Sequence, residues 1–204
     1  MDTKRSTYSI LYAAALGLVC ALALTAVDRA TEERKAANAR AEEVRNILTV
    51  LGVPFDAGAS AAGLLETYGT AVTEEERGDS SFYVYDNPDA GVLSATRFEG
   101  PGLWGPVEGF LCLEEDMRTI YAVSFYRHEE TPGLGGEISS DWFQGQFRGK
   151  SIVDESGVPG ISVVGGADGI SEVDAITGAT MTGDKVEEML NGLIEELVGG
   201  GGHG

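Results

Sequence analysis

Residues 174–182, Asp-Ala-Ile-Thr-Gly-Ala-Thr-Met-Thr, lead into the last strongly patterned helix of the chain. The apolar residues that follow recur at helical spacing and predict one buried helix face: Val186, Met189, Leu190, Leu193, Ile194 and Leu197. Thr177 or Thr180 can cap the start of this helix, and Gly178 allows a close approach of the backbone. Because a helix N-terminus carries free N–H groups and a positive dipole end, a hydroxyl there can bear a phosphate group.

The segments before this helix predict the fold of the domain. Strands are predicted at Phe82–Tyr85, Val92–Phe98, Val107–Leu113, Ile120–Arg127, Ile161–Val164 and Glu172–Ala175, with a short helix at Asp141–Phe147. Strands joined by hairpin-length connections indicate an α+β domain with an antiparallel sheet. Residues 56–80 are rich in Gly, Ala and acidic residues and give no clear indication.

The N-terminal run Tyr8–Val27 is apolar and has no ionisable side chain except its tyrosines and Cys20. Its length matches the roughly 20 residues that a helix needs to cross a bilayer. A cleaved signal peptide is the main alternative, but the run is longer than a usual signal core and no small-x-small cleavage site follows it. Val19 fits poorly before a lipidated Cys20. We therefore predict an uncleaved, single-pass membrane anchor.

The chain is predicted to divide at this anchor. Residues 28–53 read as an extension of the membrane helix or as a second short helix, because Val44, Ile47, Leu48 and Leu51 follow at helical spacing. The predicted parts are an N-terminal segment 1–7, a membrane helix 8–27, a connector 28–53, a domain 54–198 and a Gly-rich tail 199–204.

Charge and cysteine usage exclude several classes of function. Acidic residues outnumber basic ones 33 to 14, giving a net charge of −19, which argues against a nucleic-acid partner. Cys20 and Cys112 are predicted to lie too far apart to pair, and the chain has no Cys-x-x-Cys or Cys/His cluster, so we expect no metal site. His128 is expected to be a loop or strand-end residue, and His203 lies in the tail.

Two further stretches read as loops. In residues 129–138, Glu-Glu-Thr-Pro-Gly-Leu-Gly-Gly-Glu-Ile, strong turn chemistry predicts a rigid loop that can present Leu134 and bare peptide groups to a flat ring. In residues 100–106, Gly-Pro-Gly-Leu-Trp-Gly-Pro, Trp104 is a loop aromatic that is available for stacking.

Together these motifs resemble the FMN-binding domain family. Thr177–Thr182 resembles its [Ser/Thr]-Gly-Ala-Thr-x-Thr flavinylation motif, with Thr177 where Ser is commoner. Glu130–Gly135 matches the family's Glu-Thr-Pro-Gly-Leu-Gly loop, residues 100–106 resemble its Gly-Leu-Trp segment, and Asp174 matches an acidic residue that precedes the flavinylation motif. The resemblance covers most of residues 100–198 and touches Glu43–Val53.

The resemblance implies that a dedicated flavin transferase joins FMN covalently, through its phosphate, to Thr180. It implies that Thr177 and Thr182 support the phosphate and that the ring is lined by Leu103, Trp104, Glu130, Thr131 and Leu134. Gly133, Gly178 and Ala179 are further cofactor-binding residues that it implies. The chain would pass electrons without a catalytic residue of its own.

The family includes the C subunit of the sodium-translocating NADH:quinone reductase and the G subunit of the Rnf complex. The forms of the motifs favour the first, and the short chain favours the second; we expect the first. Either implies other membrane subunits as partners and a domain outside the bacterial cytoplasmic membrane, with residues 1–7 in the cytoplasm. The distribution of basic residues alone does not orient the anchor. Lys4 and Arg5 precede the apolar run, and four basic residues follow it: Arg29, Arg34, Lys35 and Arg40. The alternative is a membrane-anchored binding module without redox function, in which the motif is only a capped turn.

Overall fold

The computed structural model of the chain describes residues 3–78 and 80–200. These fall into two units, residues 1–42 and residues 43–204. The first unit is the beginning of helix α1, Thr3–Val50, whose side chains are exposed throughout the predicted span 8–27. By length and composition α1 is able to cross a membrane. Residues 1 and 2 of the predicted N-terminal segment lie outside the described residues.

Helix α1 runs without interruption through the predicted connector, so the structure has an extension of the first helix and no second helix there. It ends in a Schellman motif: the N–H of Gly52 bonds to the carbonyl of Thr49 at 3.1 Å and that of Val53 to the carbonyl of Leu48 at 2.9 Å. Gly52 has φ +67°, which glycine adopts without strain.

Two elements of the second unit lie in the stretch 56–80, where the sequence pattern supported no clear prediction. Helix α2 spans Ala61–Ala71, and Ser60 caps it by accepting the N–H of Gly63 at 3.2 Å. Strand β1, Thr73–Arg77, follows directly. The Ser60 cap was the available signal in the sequence, since Ser is a preferred residue at that position.

The main sheet is an antiparallel meander in which the strand order follows the sequence order. Its strands after β1 are β2 Ser80–Asn87, β3 Gly91–Pro101, β4 Pro106–Leu113 and β5 Ile120–Arg127. The predicted α+β class with an antiparallel sheet is thus confirmed. The two remaining strands, β6 Ser162–Val164 and β7 Glu172–Asp174, form a separate parallel pair.

The helices of the C-terminal half are a short 3-10 helix Gly135–Ser139, α3 Asp141–Gly145 and α4 Thr180–Gly200. Helix α3 ends two residues before the predicted Phe147. Helix α4 continues to Gly200, so the first two residues of the predicted Gly-rich tail are helical. Residues 201–204, including His203, lie outside the described residues.

The core of the second unit lies between the main sheet and helices α3 and α4. The predicted stripe of α4 is confirmed, because Val186, Leu190 and Ile194 are fully buried and the other members of the stripe pack against the same cluster. Side chains of a strand alternate between the two faces of a sheet, and Tyr83 lies on the face opposite this core. Its ring centroid is 6.4 Å from that of Tyr68 on α2.

An ion network centred on the buried Glu108 carboxylate joins strands β3, β4 and β5 near one end of the sheet. The Glu108 carboxylate accepts hydrogen bonds from Arg97 at 2.7 Å, Arg127 at 2.9 Å and the Tyr126 hydroxyl at 2.9 Å. Burial, reinforced by the hydrogen bond to Glu108, raises the pKa of Tyr126 to about 12. These contacts fix the ends of the three strands from which the two predicted ring-binding loops emerge.

Gly109 provides a test of packing at this end of the sheet. A Cβ atom at Gly109 would overlap both the Phe98 ring and the backbone carbonyl of Ser124. We expect Gly109→Ala to lower the free energy of unfolding by about 1–3 kcal/mol, because neither neighbour can move freely. Urea denaturation of the full chain measures this loss.

The matched control is Gly192→Ala on α4, where a Cβ would meet nothing within 4 Å. This change is expected to raise the free energy of unfolding by about 1 kcal/mol, because alanine has the higher helix propensity. A Gly109→Ala chain as stable as the parent would contradict the packing described here.

Candidate functional site

The three motifs singled out in the sequence meet at one end of the second unit. The hairpin between β3 and β4 carries the Gly-Leu-Trp loop and is closed by the N–H of Gly102 bonded to the carbonyl of Gly105 at 2.8 Å. The Thr-Pro-Gly-Leu loop follows β5, which is two strands away from β3. The flavinylation motif forms the entry to α4.

The Thr-Pro-Gly-Leu loop is a compact turn that touches the flavinylation motif. The carbonyl of Thr131 accepts the N–H groups of Leu134 at 3.1 Å and Gly136 at 2.9 Å, and Gly133 has φ +74°. The Leu134 side chain is exposed, and its Cδ2 lies 3.3 Å from the place of a Cβ on Gly178. Gly178 itself has φ +80°, a backbone conformation that favours glycine.

Asp174 holds the strand that leads into the flavinylation motif. Its carboxylate accepts the N–H groups of Gly166 and Ala167, each at 2.9 Å, and so closes the loop between β6 and β7. Its own N–H bonds to the side chain of Gln146 at 2.8 Å. The acidic residue before the motif therefore anchors the approach to α4.

The start of α4 differs from the predicted cap. The carbonyl of Ala179 accepts the N–H of Gly183 at 2.9 Å, which places Ala179 at the cap position and Thr180 at the first helical residue. Ala179 has no side-chain acceptor, so neither predicted threonine serves as the N-cap. Within the described part of the chain, no protein acceptor is recorded for the N–H groups of Thr180, Met181 and Thr182.

Thr180 lies on an exposed surface together with side chains from both loops. Leu103, Trp104, Thr131 and Leu134 are exposed, and Trp104 is 68% exposed although it is a large aromatic residue. Thr177 and Gly178 are exposed beside Thr180. Exposed apolar side chains around a hydroxyl at a helix N-terminus form a surface that suits a flat ring carrying a phosphate.

Glu130 and Thr182 lie beneath this surface instead of on it. They are 5% and 2% exposed, and the Thr182 hydroxyl donates to Glu130 Oε2 at 2.7 Å. Glu130 Oε1 accepts the N–H groups of Leu103 at 2.7 Å and Trp104 at 3.2 Å. Sequence reasoning placed Glu130 against the ring and Thr182 against the phosphate; it did not foresee that the two bond to each other. No spacing rule relates residues so far apart in the chain.

Two other residues with reactive side chains, His128 and Cys112, have surroundings that indicate a structural role. His128 Nδ1 accepts the N–H of Glu130 at 3.3 Å, a contact within its own loop. Burial raises the pKa of the Cys112 thiol far above its usual range, which suppresses thiolate chemistry. Among residues 8–78 and 80–199, no group of three His, Cys, Asp or Glu side chains is arranged to hold a metal ion.

Comparisons with known proteins cover the part of the chain that carries the three motifs. The FMN-binding domain family matches residues 102–195, which include all three motifs except the first residues of the Gly-Leu-Trp segment. The C subunit of the Na(+)-translocating NADH-quinone reductase from Chlamydia trachomatis is 39% identical over 127 residues, covering 53% of this chain and 40% of the relative. The same subunit from Vibrio anguillarum is 42% identical over 101 residues, covering 48% and 40%. The matches thus span about two fifths of the length of these relatives.

Solved structures extend the likeness over a larger share of the chain. The crystal structure of the Na(+)-translocating NADH-quinone reductase C subunit from Parabacteroides distasonis is 26% identical with a TM-score of 0.69, covering 83% of this chain and 95% of that one. NqrC from Shewanella oneidensis shares the fold, with 23% identity and a TM-score of 0.60 over 76% and 91% of the two chains. The chain is therefore similar in sequence and fold to C subunits of sodium-translocating NADH-quinone reductases, and residues 102–195 match the FMN-binding domain family.

Proposed function

We propose that this chain is an electron-transfer subunit that carries FMN as a phosphoester on Thr180. The observation that carries the proposal is the position of Thr180: its side chain is exposed, it is the first residue of α4, and the N–H groups of the first turn have no recorded protein acceptor among the described residues. A phosphate on this hydroxyl would lie where backbone N–H groups and the helix dipole stabilise negative charge.

The residues present fit FMN. Trp104 and Leu134 supply exposed apolar surface on either loop, while Thr177 and Gly178 border the hydroxyl of Thr180. When bound, FMN supplies the redox chemistry, and the protein positions it and adjusts its surroundings. The chain's own residues would hold the ring and the phosphate.

We further propose that the chain acts as the C subunit of a sodium-translocating NADH:quinone reductase, with other membrane subunits as its redox partners. The relatives described above carry that name, which favours this complex over the Rnf complex. Helix α1 would anchor the protein in the bacterial cytoplasmic membrane, with the FMN domain on the extracytoplasmic side. Covalent attachment suits that side of the membrane, because unattached FMN would be lost there by diffusion.

The intact mass of the full chain tests the cofactor. The chain is expressed with and without a flavin transferase, purified in detergent, denatured and weighed. We expect the co-expressed chain to gain the mass of one FMN minus water, since esterification releases one water. If the mass stays unchanged although the transferase modifies a control substrate, the covalent flavin is excluded, and the motif is a helix start in a membrane-anchored binding module.

A further inference from the structure

A single buried carboxylate links the three segments of the proposed flavin surface. We propose that Glu130 is a positioning residue for Trp104: it fixes the Gly-Leu-Trp loop to the first turn of α4 and thereby holds Trp104 beside a flavin on Thr180. The role toward the flavin rests on the proposed function, whereas the link between loop and helix does not.

The hydrogen bonds divide between the two oxygens of Glu130. Oε1 accepts the two loop N–H groups of Leu103 and Trp104, and Oε2 accepts the hydroxyl of Thr182 on α4. The loop therefore cannot leave the helix without breaking bonds to a buried carboxylate. Hydrogen bonds to a buried carboxylate are stronger than those between neutral groups, and Glu130 would lose two of its three partners if the loop left.

The glycines of both loop motifs make room for this carboxylate. A Cβ on Gly102 would lie 2.5 Å from Glu130 Oε1. A Cβ on Gly135 would lie 2.7 Å from Glu130 Oε2 and 2.5 Å from Thr182 Oγ1. Two glycines on different loops are thus packed against the same carboxylate, which gives a physical reason for their place in the two motifs.

The chemistry of the contact separates two substitutions. A carboxylate only accepts hydrogen bonds, and all three partners of Glu130 donate. In Glu130→Gln the amide oxygen can still accept the two loop N–H groups, and the Thr182 hydroxyl can rotate to accept from the amide nitrogen. Glu130→Ala removes every one of these bonds. Positioning should therefore survive in the Gln variant and fail in the Ala variant.

Amide hydrogen exchange in the flavin-free full chain tests the link itself. We expect exchange at Leu103 and Trp104 to speed up by about 10- to 100-fold in Glu130→Ala, because a buried hydrogen-bonded contact is lost. Exchange in Glu130→Gln is expected to stay near the parent rate. Equal rates in the parent and Glu130→Ala would overturn the proposal, whatever is found for the flavin.

Flavin fluorescence of the flavinylated full chain tests the consequence. An indole ring held against a flavin quenches its fluorescence, so Trp104→Phe defines the unquenched level, and Trp142→Phe serves as the control for the other tryptophan. We expect Glu130→Ala to lose the quenching and Glu130→Gln to keep it, with the same flavin mass on both. Quenching retained in Glu130→Ala but lost in Trp104→Phe would overturn the proposal.

A second pair of variants covers the case in which Glu130→Ala does not fold. Thr182→Val removes only the hydroxyl that donates to Glu130, and Thr182→Ser keeps it. The valine variant is expected to show weaker quenching and faster loop exchange than the serine variant. Identical behaviour of the two would overturn the proposal. Absence of flavin from the parent would instead refute the proposed function and leave the exchange test to decide the link.

Discussion

Thr180→Val is expected to abolish covalent attachment of FMN to the chain while leaving the fold intact. Valine has nearly the shape of threonine but no hydroxyl, so no phosphoester can form. Thr180 is exposed, and Ala179 instead of Thr180 holds the cap position. The free energy of unfolding should therefore change by less than about 1 kcal/mol. Intact mass of the denatured chain after co-expression with a flavin transferase measures the attachment.

Thr70→Val is the matched control for this experiment. Thr70 is an exposed threonine of α2 that lies outside all three motifs, and its replacement leaves the hydroxyl of Thr180 in place. We expect this variant to gain the mass of FMN minus water, as the parent does. Flavin mass on the Thr180→Val chain would show that the attachment point lies elsewhere and would refute the assignment.

Phe125→Ala is expected to lower the free energy of unfolding by about 3–5 kcal/mol, because it removes a buried aromatic ring from the core. This is the largest loss expected for any substitution proposed here. Phe125 is 1% exposed. Its ring centroid lies 5.4, 6.0 and 6.2 Å from the ring centroids of Phe98, Phe143 and Phe147. These contacts connect the sheet to α3 and the segment after it. Urea denaturation followed by circular dichroism measures the loss.

Trp142→Ala is the control for the removal of an aromatic side chain. Trp142 adjoins Phe143 on α3, but it is 56% exposed. Its replacement is expected to change the free energy of unfolding by about 0.5 kcal/mol, as is usual for surface positions. If Phe125→Ala and Trp142→Ala cost the same, the cluster around Phe125 does not dominate the stability of this domain.

Prediction from sequence was accurate where local periodicity carries the information. The stripe of α4 and four of the five strands of the main sheet follow from apolar spacing, which a helix or strand imposes directly. Prediction was weaker at α2 and β1, because small and acidic residues there leave no clear helical or strand periodicity of apolar residues. The parallel pairing of β6 and β7 was also missed, because pairing depends on the path of the loop between them.

By itself, the sequence determined that this chain has one apolar helix followed by an α+β domain, and it determined which three motifs belong to the proposed flavin surface. Those features depend on the order, spacing and chemical type of neighbouring residues. Only the tertiary structure decided that Glu130 and Thr182 lie beneath that surface and that Trp104 and Thr180 lie on it. The reason is physical: which face of a loop is buried depends on contacts between residues far apart in the chain, and local propensity does not encode those contacts.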